Sequence, residues 1–260
     1  MDYLYDGSFD GLLTCIYHHY YGDRATGIYQ QAYYQPVLMA KSKVIQSDLA
    51  LAGRVYRAIE KKISSSALAM SYHVYLSSSS TKENLILNYI ILGFRMGPKV
   101  NLYRSHPDVY PIHKLDRQVR GEAHRFFGLL RFADTGKFLY AGFSPDHNIL
   151  TLIADHFADR LRNERWIIHD QKRHLAVIYN GPEPDQDLSS KWYLTDLDNQ
   201  WQKAFTQEEE HWQELWRLYF HHISIKSRYN PRLQSQLVPL RYRRHLVEFQ
   251  SSFGDNVTFI

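Results

Sequence analysis

Cys15 is the chain's only cysteine. A lone thiol excludes an intramolecular disulfide, an iron–sulfur cluster ligated by this chain alone and a cysteine-rich zinc site. No apolar run approaches the ~20 residues that a membrane-spanning helix needs. The opening MDYLYDGSFD is acidic, where a signal peptide would begin basic and then turn apolar. GxxxxGK[ST], GxGxxG and GxSxG are all missing, so no phosphate loop, dinucleotide fingerprint or nucleophile elbow is expected. HExxH is missing too, and there is no internal repeat or extended low-complexity segment. These absences predict a cytoplasmic protein with no cofactor of its own and no membrane partner.

What is present is a globular composition with a tyrosine excess: 20 Tyr against 13 Phe and 5 Trp. Tyr joins a large apolar ring to a polar tip, which suits core edges, interfaces and base stacking. The net charge is only +4 with histidines neutral, so placement matters more than total. At 260 residues the chain is long enough for one large domain or two small ones.

Along the chain, Tyr3 and Tyr5 alternate in a short strand, Ser8 caps a helix and Gly22 ends it. Residues 26–46 read as extended or irregular, because Pro36 opposes helix. Asp48 caps a helix that puts Leu49, Ala52, Val55, Tyr56, Ile59 and Ile63 on one side. A short helix over 67–76 and an SSSS turn follow. Ser80 and Glu83 form a capping box before NLILNYIILGFRM, a helix apolar nearly all round and therefore central; Gly97 and Pro98 stop it. Pro107 and Asp108 open another long helix, with Pro111 in its first turn. The period then changes. GLLRFADTGKFLYAGFSP reads as a hairpin, NILTLIADHFADRLRN as an amphipathic helix and WIIHDQKRHLAVIYNG as a second hairpin. The unit 128–180 is thus ββαββ, expected as a four-stranded antiparallel sheet with a helix across one face. Residues 181–200 read as loop, a helix runs from Thr206 with acids near its N-terminus, Asn230 and Pro231 force a break, and a short helix covers 239–248. The fold class is α+β. Residues 1–104 form a mostly helical part, and 105–260 carry the sheet, its flanking helices and a basic C-terminal module.

That module, WRLYFHHISIKSRYNPRLQSQLVPLRYRRHL at 216–246, holds seven Lys and Arg and no acid. Lys226, Arg228, Arg232, Arg241, Arg243 and Arg244 converge if it folds as helix–turn–helix. Arginine forks match phosphate oxygens, and Tyr229 or Tyr242 would pack on a sugar or base. The plain alternative is a solvated face balancing Glu208, Glu209 and Glu210. A second cluster is RQVRGEAHRFFGLLRF: Arg117, Arg120, Arg125 and Arg131 extend the basic surface, while Glu122 and His124 form a candidate acid–base pair with His156 and Asp170. The alternative is an internal ion pair of Glu122 with Arg125 or Arg131. Asp146, His147, His156, Asp170 and His174 would suit a metal only if they met, and no short ligand spacing supports that, so no metal is expected. An exposed Trp192, Trp201 and Trp212 patch would mark a protein-docking scaffold.

The segments YDGSFDGLLTCIY, YIILGFRMGPKVNLY, GEAHRFFGLLRFAD, SPDHNILTLIADHFADRLRNERWIIHDQKRHLAVIYNG and the basic module together resemble an uncharacterised bacterial family of DNA metabolism or DNA repair proteins. Its members accompany a radical-SAM protein related to photoproduct lyases; in some chains the domain is joined to a uracil-DNA-glycosylase-like domain. This sequence resembles the stand-alone form, with no glycosylase segment after residue 246. The resemblance implies DNA and a radical-SAM protein as partners, with the reactive cofactor in that partner. It assigns no catalytic residues. The leading expectation is a nucleic-acid-binding accessory protein of DNA repair, whose arginines at 117–131 and 226–244 line one groove. The competing expectation is an enzyme acting on DNA or a nucleotide through Glu122, His124, His156 and Asp170.

Overall fold

The computed structural model describes residues 1–36, 41–181, 192–198 and 206–250. It is α+β, in two compact units, Met1–Arg120 and Gly121–Ile260.

The first unit is built on a three-stranded parallel sheet in the order β2-β1-β3: β1 (Asp2–Tyr5), β2 (Gly27–Gln30) and β3 (Ser42–Val44). Parallel strands need a crossover, and α1 (Phe9–Tyr21) supplies the first one. Ser8 caps α1 by accepting the Gly11 amide, as expected, and the Gly22 amide closes it on His18. Two of the strands lie in the 26–46 stretch, expected to be extended or irregular. β3 has three residues, all exposed, so no apolar alternation marked it. Asp6, just past β1, accepts the hydroxyls of Ser8 and Ser47 and joins the ends of β1 and β3.

Asp48 caps α2 (Leu49–Lys62), Ser64 caps α3 (Ser65–Tyr75), and α4 (Lys82–Met96) follows. Ile59, Ile86, Tyr89 and Ile90 are fully buried in one core with Tyr3, Leu12 and Ile28. Each such side chain contributes on the order of 2 kcal/mol of apolar burial. Burial pushes the pKa of the Cys15 thiol up to about 12, so it is an inert core group. The expected capping box is absent. Thr81 occupies the N-cap without a side-chain bond. Glu83 turns inward, where the Tyr5 hydroxyl and the Gln30 amide each donate to it at 3.0 Å. A buried tyrosine hydroxyl needs a partner, and that need outweighs an exposed cap. Gly97 ends α4 in the left-handed region, φ 64°, as the Gly–Pro pair implied.

α5 (Tyr110–Leu129) begins three residues after Pro107, with Pro111 in its first turn. The second unit's sheet has the order β4-β5-β6-β7-β8: β4 (Ala133–Asp134), β5 (Leu139–Phe143), β6 (Trp166–Asp170), β7 (Leu175–Tyr179) and β8 (Tyr193–Asp196). Both expected hairpins form, and Gly136 takes φ 79° in the first turn. The sheet is nevertheless mixed, not antiparallel, because β5 and β6 run parallel. They are adjacent strands joined by α6 (Leu150–Arg160), and a helix crossing one face returns the chain to its starting end. β8 lies in the segment read as loop; it is a mostly exposed edge strand without an apolar rhythm. α7 (Gln207–Ile223) is capped by Thr206, and Asn230 caps α8 (Pro231–Leu237). The short α9 (Leu240–Arg243) leads to a 3-10 turn at Val247–Phe249. No helix among the described residues is long and apolar enough to cross a membrane.

Candidate functional site

The second unit holds a cavity of about 630 Å³ above one face of its sheet. Parallel register sets Tyr140 beside Ile167 and Gly142 beside His169. Alternation then places Tyr140, Gly142 and His169 on one face. The Tyr140 hydroxyl lies 2.8 Å from His169 Nδ1, and His169 Nε2 lies 3.1 Å from the Leu197 carbonyl. A carbonyl only accepts, so Nε2 carries the proton, Nδ1 accepts, and the Tyr140 hydroxyl donates. Burial pushes the Tyr140 pKa up.

Tyr140, Gly142 and Ser144 line the cavity from the sheet, Lys172 from the β6–β7 turn, Arg131 from the segment before β4 and Arg244 from the C-terminal module. No acidic side chain lines it among the described residues. Arg131 Nη2 is 2.7 Å from Glu248 Oε1, and Nη1 donates to the Gly128 carbonyl at 2.8 Å. The Arg131 fork is therefore already set in place. Arg244 Nε donates to His245 Nε2 at 3.0 Å. Neither Arg244 nor Lys172 has a carboxylate partner among the described residues. The cavity's net positive charge comes from these two.

The other expected phosphate ligands divide. Arg120 forks onto Asp116, which His73 also holds at 2.7 Å. Arg241 pairs with Asp146 at 2.9 Å and lies over the Tyr242 ring. Arg243 donates to the Val238 carbonyl and packs on Phe249. Arg117, Arg125, Arg228, Tyr229 and Arg232 are exposed, with no carboxylate pairing the four arginines among the described residues. The Lys226 side chain and Trp201 fall outside the described residues. Arg117 and Arg120 belong to the first unit, so within one unit the two arginine groups meet at Arg131 and Arg244.

The four candidate acid–base residues do not line the cavity. Glu122 is buried and accepts the amides of Asp146 and His147, at 2.7 and 2.8 Å, and the Tyr242 hydroxyl. Neither of the ion pairs expected for Glu122, with Arg125 or Arg131, is among its contacts. Asp170, also buried, accepts the Lys172 and Arg173 amides and pairs with the Arg173 guanidinium at 2.7 Å. Burial outweighs that arginine and holds the Asp170 carboxyl above the usual range. Arg173 also donates to the carbonyls of Pro145 and Asp146. Glu122 and Asp170 thus brace the 145–147 segment from two sides. His124 and His156 both pack on the Phe127 ring. His147 lies beside Glu122 and Asp146, yet burial keeps its pKa low. No three His, Cys, Asp or Glu among the described residues gather as metal ligands would. Trp192 donates to Asp155 at 2.8 Å, while Trp212 stands exposed on α7.

The sequence reading missed Tyr140, His169 and Lys172. Only the parallel register aligns Tyr140 with His169, and Lys172 was read as part of a turn. No curated protein and no solved structure matches the chain. Residues 80–248 match the family described as a domain of unknown function, DUF4130, and the chain belongs to that family.

Proposed function

We propose that the chain is a nucleic-acid-binding accessory protein of DNA repair or DNA metabolism, and that the cavity of the second unit takes the strand. The observation that carries this reading is the company of Arg131, Lys172 and Arg244 around one acid-free cavity. Phosphate binding rests on such a surplus of cations, and its strength falls steeply with salt as counterions are released. A volume of about 630 Å³ lies in the range of small-ligand sites and is enough for one unstacked nucleotide. Tyr140, 3% exposed, is part of the cavity wall, and Ser144 offers a hydroxyl to a sugar or phosphate.

The radical-SAM association is supported by the resemblance of the sequence segments alone. On that reading the partner carries the redox chemistry and this chain presents the strand. One cysteine is consistent with that division of labour.

Fluorescence anisotropy with labelled single-stranded and double-stranded DNA tests the reading. Binding at low salt, weakening steeply as salt rises, is expected; Lys172→Glu with Arg244→Glu lowers affinity at least tenfold. No binding at low salt, or binding indifferent to both substitutions, overturns it.

A further inference from the structure

We propose that the exposed side of α1 and α2 in the first unit is a contact for single-stranded nucleic acid, in which Tyr21 stacks on an unpaired base while Arg54, Arg57 and Lys61 follow the phosphates. The inference rests on the reading of the chain as a nucleic-acid binder and adds a second contact to that of the cavity. Tyr17 and Tyr21, four residues apart on α1, form a stacked pair with ring centroids 4.6 Å apart and an interplanar angle of 26°. Tyr21 is 77% exposed, so one end of this stack is open. Arg54 fixes where α2 stands beside the pair. Its guanidinium lies 5.6 Å from the centre of the Tyr17 ring, and Nη1 is 3.4 Å from the Tyr17 hydroxyl. Earlier on both helices, the Thr14 hydroxyl is 3.2 Å from the Asp48 carbonyl. α1 and α2 therefore run side by side in one direction. Tyr21 lies one turn on from Tyr17, and Arg57 and Lys61 lie one and two turns on from Arg54.

The row on α2 carries one sign of charge. Ala50, Arg54, Arg57 and Lys61 recur at intervals of four, three and four, all exposed, opposite the buried Ala52, Val55 and Ile59. None of the three cations has a carboxylate partner among the described residues. Glu60 is exposed too, but it falls in line with Tyr56, off the row; Asp10, in line with Tyr17 and Tyr21, is at the far end of α1. Cations and an open ring thus share one surface, and together they select the occupant. Cations alone would suit an acidic peptide or a duplex as well as a single strand. The Tyr21 ring separates these: a peptide brings no base, and a duplex keeps its base faces stacked inside, whereas an unpaired strand presents base faces and phosphates in series.

Fluorescence anisotropy on the full chain, with labelled oligo(dT) and a duplex of the same length, tests this. Tyr21→Ala is expected to lower oligo(dT) affinity about fivefold or more, the loss of one stacked base, and to leave duplex affinity within about twofold. Tyr21→Trp keeps the oligo(dT) affinity. Arg57→Glu with Lys61→Glu lowers it about tenfold and flattens its salt dependence. All three side chains are exposed, and an unchanged circular dichroism melt shows that the fold is kept. Oligo(dT) binding indifferent to Tyr21→Ala, or to the charge reversals, overturns the proposal, and so does an equal loss on single strand and duplex in Tyr21→Ala. Lys172→Glu with Arg244→Glu, measured alongside, keeps the two readings apart. If that variant loses binding and Tyr21→Ala does not, only the α1–α2 contact falls; if Tyr21→Ala loses binding and that variant does not, only the reading of the cavity falls.

Discussion

Arg131 and Glu248 lie 117 positions apart in the chain and form a hydrogen-bonded ion pair, Nη2 to Oε1 at 2.7 Å, at the edge of the cavity. Trp216 Nε1 reaches the other Glu248 oxygen at 3.4 Å. One carboxylate therefore ties together the segment before β4, α7 and the C-terminal turn. The Glu248 side chain is 5% exposed and that of Arg131 29%, so the pair is sheltered from screening more than a surface bridge is. A double-mutant cycle with Arg131→Ala and Glu248→Ala is expected to give a coupling of about 1–3 kcal/mol in urea unfolding. Glu248→Ala alone leaves Arg131 held only through Nη1 on the Gly128 and Leu130 carbonyls, and DNA affinity falls although the net charge has become more positive. Unchanged or rising affinity would show that Arg131 acts only as a point charge.

Glu122 is the more deeply committed carboxylate. It satisfies two part-buried backbone amides and one buried phenol, so its removal strands three donors at once. Glu122→Ala should cost about 3–5 kcal/mol, at the high end for a single substitution. Tyr242→Phe removes one of the three bonds and should cost about 1–2 kcal/mol. The same two variants separate bracing from catalysis. If Glu122 serves only to hold the 145–147 segment, Tyr242→Phe leaves DNA binding within twofold of wild type while the unfolding midpoint drops.

Much of the fold is legible in local chemistry. Ser8 and Asp48 cap the helices they were expected to cap, and Gly97 and Gly136 take the left-handed conformations their turns need. These signals are local, and a sequence carries them whole. The β5–β6 pairing is different. Two hairpins of alternating residues look the same whether the sheet between them is parallel or antiparallel, and only the α6 crossover decides. With the direction of β5 against β6 read wrongly, the Tyr140–His169 contact is invisible. β3 and β8 escaped notice because exposed edge strands lack the buried alternation that marks a strand. Of the site, the arginines are legible by type. Which of them bond to Asp116, Glu248 and Asp146 depends on folds of the chain that no spacing encodes.

Two buried aspartates should give opposite pH signatures. At Asp116 burial alone would raise the pKa, but hydrogen bonds from His73 and Arg120 outweigh it and hold the carboxyl below its ordinary value of 3.8. Its folded form thus keeps a charge that the unfolded chain gives up first. That contribution is fully present above the unfolded pKa, near 4, and is lost as pH falls through the folded value. At Asp170 burial wins over Arg173 and the folded pKa is raised. Its contribution is present below the unfolded pKa and is lost as pH rises through the folded one. Unfolding free energies measured from pH 2 to 7 should therefore show Asp116→Asn converging with wild type as acid is added. A gap that stays constant down to the lowest pH would mean that Asp116 acts by packing and not by charge.

The Tyr140–His169 bond separates holding the cavity wall from contacting a strand. His169 is 1% exposed, and its Nδ1 accepts a hydrogen bond from the Tyr140 hydroxyl because Nε2 donates to Leu197. Tyr140→Phe removes that bond, which should cost about 1–2 kcal/mol of stability. The Tyr140 ring is 3% exposed, so it offers a base no face to stack on and acts as part of the wall. DNA affinity of Tyr140→Phe is thus expected within twofold of wild type while the unfolding midpoint drops. A loss of binding at unchanged stability would show instead that the hydroxyl is a contact of the strand.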